Sequence, residues 1–181
     1  MPRVTPQDVI LEILRVADGE WTGKTKLYKA FYFAHLYYAN ERPGLLTDWP
    51  IARMPEGPGI HQGDRLLNAI AEHGFLTVEL SHEGPYPENR YRLTDKAGQV
   101  PRPPADASSA IKDAANFCLP RTATELSQLT HERSRSWKLG RDGDLLNIYI
   151  DTIPDDEYQR RQDELARLEA NFGGLLEEGQ A

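Results

Sequence analysis

Long apolar runs are missing from this 181-residue chain. No stretch reaches the roughly 20 residues that a membrane-spanning helix needs, and the opening MPRVTPQDVI has no apolar signal-peptide segment. Cysteine is almost missing too. Cys118 stands alone, which excludes an internal disulfide and a cysteine-based zinc cluster. Positive charge is in deficit, with 21 Lys and Arg against 28 Asp and Glu and a formal net charge of −7. Such a chain is a poor generic ligand for nucleic acid or for an anionic membrane. The expectation is a soluble, cytoplasmic protein without membrane contact, long enough for one domain with a real core.

Catalytic signatures are absent as well. There is no glycine-rich phosphate loop and no G-x-S-x-G elbow. No two of the five histidines have H-x₃-H spacing. His61 and Asp64 share a helix face, but two ligands fall short of a metal set. Cys118 sits on the apolar side of an alanine-rich helix and reads as inert core. His35 reads as a hydrogen-bonded core histidine. Nothing assembles a nucleophile, a base and an orienting group. The chain is therefore expected to be no enzyme and to need no cofactor and no metal.

What is present centres on Thr22–Asn40, TGKTKLYKAFYFAHLYYAN. Apolar residues recur at helical spacing, as in Leu27, Phe31 and Ala34, so densely that they cover most of the circumference. A helix apolar nearly all round is buried on several sides, so this is the expected central helix, capped at Thr22. Before it, Thr5, Pro6 and Asp8 start a helix over about 6–17. After it, residues 41–58 are too rich in Pro and Gly for helix. WPIARM (49–54) reads as one short edge strand and EGPG (56–59) as a turn. A helix over about 60–72 follows. Then FLTVEL (75–80) and RYRLT (90–94) alternate as a β-hairpin, with Leu76, Val78 and Leu80 on one face.

This order is the layout of a winged helix. QVPRPPAD (99–106) is a stiff connector. The second half carries a helix ending before Pro120, then one opened by the capping box Thr122-Ala-Thr-Glu125. Residues 131–144 read as an irregular basic loop around Trp137, and 145–153 as a short apolar segment. An acidic helix from Pro154 carries Tyr158, Leu165, Leu168 and Phe172 as a thin stripe and ends at Gly173-Gly174. The expected fold class is mainly α (α+β): a winged-helix-like helical core with a small β-hairpin, extended by C-terminal helices. The expected division is 1–153, made of a 1–98 half and a 107–153 half packed on it, followed by 154–181.

Two basic groups stand out: Lys24, Lys26 and Lys29 at the start of the central helix, and Arg133, Arg135, Lys138 and Arg141 around Trp137. Trp and Arg are enriched at interface hot spots, which makes Arg133, Arg135, Trp137 and Arg141 candidate partner-binding residues. The aromatic surface of Tyr28, Tyr32 and Tyr37 is the next candidate.

Three segments together resemble the Panacea-domain, or SocA-like, phage-associated family. Lys26-Leu27-Tyr28-Lys29-Ala30-Phe31-Tyr32-Phe33-Ala34-His35 is similar to its K-L-x-K-L-x-Y-F-A core. Arg53-Met54-Pro55-Glu56-Gly57-Pro58-Gly59-Ile60 looks like its G-P-V-x-P-x-L-Y element, although His61 and Gln62 stand where a further Pro is expected. Leu126-Ser127-Gln128-Leu129-Thr130-His131-Glu132, with Trp137 downstream, is similar to its L-S-x-x-T-H…W signature. The resemblance spans roughly residues 5–153 and leaves the acidic helix outside. It implies an antitoxin that neutralises a cognate toxin protein by direct complex formation. The alternative is a winged-helix DNA-binding regulator acting on its own promoter.

Overall fold

The computed structural model describes residues 4–84 and 86–178, with side chains to residue 170. Helix α1 (Pro6–Val16) opens on a capping box between Thr5 and Asp8, which satisfies two otherwise orphaned amides. It buries Val9, Ile10, Ile13 and Leu14 completely. Strand β1 (Glu20–Thr22) follows, and the cap position of α2 (Lys24–Glu41) is Gly23, not Thr22. Gly23 has φ +93°, a conformation costly for other residues, and Thr22 is held in the strand. Every residue from Leu27 to Tyr32, together with Ala34 and His35, is buried. Each large apolar side chain so buried stabilises the fold by about 1.5–3 kcal/mol, so α2 is the core's axis.

The Pro- and Gly-rich stretch holds two strands rather than one. Strand β2 (Ile51–Met54) pairs antiparallel with β3 (Gly57–Ile60), with Arg53 opposite Pro58 and Met54 opposite Gly57. A two-stranded ribbon is all edge, and an edge tolerates Pro58. EGPG is therefore mostly strand. Helix α3 (Gly63–Glu72) starts three residues later than its apolar pattern suggests, after Gln62 in a left-handed conformation.

Strands β4 (Leu76–Ser81) and β5 (Glu88–Leu93) form the wing, and β1 completes the sheet in the order β1-β5-β4. Three helices with this sheet make a winged-helix-like core, with the β2–β3 ribbon inserted between α2 and α3. Leu76 is buried, but Val78 and Leu80 are exposed, because the hairpin projects past the core.

The connector is tied down by Arg15, whose guanidinium donates to the carbonyls of Ala97 (2.8 Å) and Val100 (3.0 Å). Helix α4 (Ala105–Cys118) then packs along α2 and α1. Phe33 and Phe117 meet edge-on at 5.1 Å. Helix α5 (Ala123–Arg133) starts on the capping box of Thr122 and Glu125. Residues 135–139 are not an irregular loop but a short helix, α6 (Arg135–Leu139), capped by Ser134. A 3-10 turn over Ile148–Asp151 follows.

The chain divides into two units, Met1–Asp151 and Thr152–Ala181. The second holds α7 (Asp155–Glu178), which continues through Gly173-Gly174.

Candidate functional site

The tip of the β2–β3 ribbon presents a row of carbonyls, and three side chains from distant segments donate to them. Trp137 Nε1 donates to Met54 O at 2.8 Å. His131 Nε2 donates to Pro55 O at 3.0 Å. Lys29 Nζ donates to Glu56 O and, at 3.2 Å, to Pro58 O. The tip's orphan acceptors are thus satisfied by α2, α5 and α6. Trp137 also stacks on His131, with ring centroids 4.1 Å apart, and carries the Arg53 guanidinium 4.2 Å from its ring. Arg53 Nε donates in turn to Trp137 O at 2.9 Å. Gly57, at φ +103°, lies so close to Lys29 Nζ and Thr130 Oγ1 that a Cβ there would overlap both.

Lys29 is 1% exposed. Burial pulls its ammonium down to a pKa of about 7, with the Glu56 carboxylate opposing the shift. An amine this easily neutralised is tolerated inside because two carbonyls accept from it.

Beside the ribbon, α2 and the start of α3 enclose a mainly apolar pocket of about 600 Å³, a size typical of ligand and side-chain clefts. Met54, Pro58 and Tyr28 line its wall. At the rim Tyr28 donates its hydroxyl to Asp64 Oδ1 at 3.1 Å, and Lys24 Nζ holds the same carboxylate at 3.0 and 3.1 Å. Gly63 abuts the Tyr28 ring, so a Cβ at that position would overlap it.

Behind the site, Asp151 anchors α6. Its Oδ2 accepts from Tyr32 (2.8 Å), Ser134 (2.9 Å) and Ser136 (2.6 Å), and its Oδ1 accepts from the Ser136 amide at 2.8 Å. This sets the angle at which Trp137 meets the ribbon. Burial beside Asp151 raises the Tyr32 pKa well above the ordinary value.

The residues singled out in sequence are partly dispersed. Trp137 is half-buried and belongs to the ribbon contact. Tyr28 lines the pocket. Tyr32 is 2% exposed and bound to Asp151, so it is core and offers a partner no surface. Tyr37 lies half-buried one turn beyond Phe33, edge-on to Phe117 at 6.4 Å. Arg133 and Arg141 are exposed, while Arg135 donates to Ile150 O at 3.0 Å. The lysines do not form a basic patch. Lys24 pairs with Asp64, Lys26 donates to Leu119 O at 2.7 Å, and Lys29 is interior. Arg53 and Asp151 were not singled out, because isolated charges in loop-like stretches give no periodic signal, and Asp64, weighed only beside His61 as a metal ligand, instead pairs with Lys24 and Tyr28. Among the described residues no group of three or more His, Cys, Asp or Glu side chains is placed to hold a metal ion.

No family model, curated protein or solved structure matches the chain.

Proposed function

We propose that the chain is an antitoxin of the Panacea, SocA-like kind, which neutralises a toxin protein by binding it directly. The observation that carries this reading is spatial. The three segments of the resemblance lie far apart in sequence, yet Lys29, residues 53–60 and the pair His131 and Trp137 meet at one ribbon tip. Residues that share a physical task are a stronger family signature than three short motifs alone. The open pocket beside the tip gives a partner side chain an apolar seat next to a polar rim.

The winged-helix-like sheet order favours a second reading, DNA binding. The charges weigh against it. Arg92 of the wing pairs with Glu20 at 2.7 Å and Glu79 at 3.0 Å, and Arg90 pairs with Glu83. Exposed Arg65 on α3 is flanked by exposed Asp64 and Glu72. Phosphate contacts need cations that are not already neutralised.

The test is co-expression with the product of the adjacent small open reading frame. That product should arrest growth alone and be harmless with this chain, and the two should co-purify. Co-expression that leaves the arrest unchanged would sink the antitoxin reading.

A further inference from the structure

The pocket between the β2–β3 ribbon and the first turns of α2 and α3 inverts the charge of the molecule. Met54, Pro58 and the Tyr28 ring give it an apolar wall. Gly59 leaves room for that wall, because a Cβ there would lie 2.5 Å from the Met54 sulfur. Thioether and aromatic surfaces accept apolar groups of varied shape. The charged lining sets three cations, Lys24, Lys29 and Arg65, against Glu56 and Asp64, in a chain whose net charge is −7.

Lys24 and the Tyr28 hydroxyl already hold Asp64, which leaves Arg65 and Lys29 against Glu56. The Arg65 guanidinium is exposed and has no carboxylate partner among the described residues, reaching only Gln62 Oε1 at 3.5 Å. Lys29 sits behind the wall, and the acceptors it binds are two neutral carbonyls. Burial disfavours its charged form, and an anion at the wall would restore it. The first turns of α2 and α3 also belong to the lining, and neither helix receives a side-chain cap, so the positive ends of both dipoles reinforce the cations.

We infer that this pocket takes the C-terminus of a protein partner, its terminal carboxylate held by Arg65 with Lys29 behind the wall, and its apolar last side chain seated on Met54, Pro58 and Tyr28. Only the last residue of a chain joins an apolar side chain to a carboxylate, and the pocket offers a surface for each. Its volume of about 600 Å³ is more than one side chain fills, so the preceding residue enters as well, and the open side lets the chain leave. This rests on the protein-partner reading above and names the chemistry of one contact. Burial of the last side chain supplies affinity, while the carboxylate selects a terminus over an internal segment.

The test uses the full chain and labelled synthetic peptides, read by fluorescence anisotropy. One ends in Leu-Phe with a free carboxylate, a second is the same peptide amidated, and a third ends in Ser-Gly with a free carboxylate. The first should bind at least about ten-fold more tightly than either control, and more weakly as salt rises. Arg65→Ala should bring the free acid down to the level of the amide, with an unchanged Tm because Arg65 is exposed. Met54→Gln should weaken the free acid and the amide alike, with folding checked by thermal unfolding.

Equal binding of acid and amide would overturn the proposal, as would a preference that Arg65→Ala leaves intact. Binding of octanoate by the parent, with no binding of any peptide, would assign the pocket to a small apolar acid instead and overturn it too. The peptides contain no toxin sequence, so their failure counts against the terminus alone, whereas failed neutralisation counts against the antitoxin reading.

Discussion

The Tyr32 hydroxyl donates to Asp151 at 2.8 Å, 119 positions later in the chain, and so ties the middle of α2 to the segment that holds α6 in place. The same carboxylate accepts from Ser134 and Ser136. Asp151→Ala leaves several donors without an acceptor and is expected to cost about 2–4 kcal/mol, whereas Tyr32→Phe removes one bond and should cost about 1 kcal/mol. Urea unfolding of the single variants and the double variant checks this. The two residues should be coupled by more than about 0.5 kcal/mol, and strict additivity would mean that the bond contributes nothing.

His35 sets an acid limit. It is fully buried, with Nδ1 donating to Phe31 O at 2.9 Å and Nε2 accepting from the Thr47 hydroxyl at 3.2 Å. Burial lowers its pKa from 6.5 to about 4. Between those values the unfolded chain binds a proton that the folded chain does not. The stability from His35 is therefore complete above about pH 6.5 and is lost as the pH falls toward 4. The loss is on the order of 3 kcal/mol. His35→Gln should be less stable at neutral pH and show a flatter profile across that window. A profile as steep as the parent's would assign the acid sensitivity elsewhere.

Lys29 acts in the other half of the pH scale. Its pKa falls from 10.5 to about 7 on folding, so between these values the unfolded chain again holds the extra proton. Stability from this group rises with pH from about 7 to 10.5, with a slope of at most about 1.4 kcal/mol per pH unit. Tyr28 and Tyr32, whose pKa values burial raises above 10, oppose this only at the upper end. Lys29→Met should remove the rise, as read from denaturation midpoints at pH 7, 8 and 9. Parallel profiles for variant and parent would place the lysine's charge outside the core.

Much of this architecture was legible, and the exceptions share a cause. Thr5 and Thr122 announce their helices because a cap is a local hydrogen bond. The density of apolar residues in α2 announces a central helix because burial is periodic. Lys29 was misjudged because only tertiary contact, the carbonyls of Glu56 and Pro58 closing over it, makes that face interior. The β2–β3 ribbon was half missed because Gly57, Pro58 and Gly59 carry turn propensity, which pairing with residues 52–54 overrides. Helix α6 is five residues long, too short for any period to register.

Trp137 and the exposed arginines near it should behave differently. Trp137 stacks on His131 and Arg53 and donates to Met54 O, so Trp137→Ala is expected to cost about 3–5 kcal/mol. Exposed Arg133 and Arg141 changed to Ser should move stability by less than about 0.5 kcal/mol. Thermal unfolding separates the two. If the arginine variant also loses neutralisation without loss of stability, that face contacts the toxin. If it neutralises as the parent does, contact lies at the pocket or elsewhere.

Affinity for DNA offers the sharpest separation between the two functional readings. In a winged-helix layout α3 would enter the major groove and the wing would lie along the backbone. Here the wing's Arg90 and Arg92 are already paired with Glu83, Glu20 and Glu79. Each phosphate contact would first have to displace a carboxylate. Duplex binding is therefore expected to be weak, to show no sequence preference and to fall steeply with salt, as counterion release dictates. Fluorescence anisotropy with the chain's own upstream region and a scrambled duplex, at about 50 and 200 mM salt, measures this. Glu20→Gln with Glu79→Gln and Glu83→Gln should free the two arginines and tighten binding to both duplexes equally. A nanomolar preference for the upstream region at the higher salt would instead make the chain a DNA reader, and the paired glutamates would then be orienting the arginines toward base or phosphate instead of neutralising them.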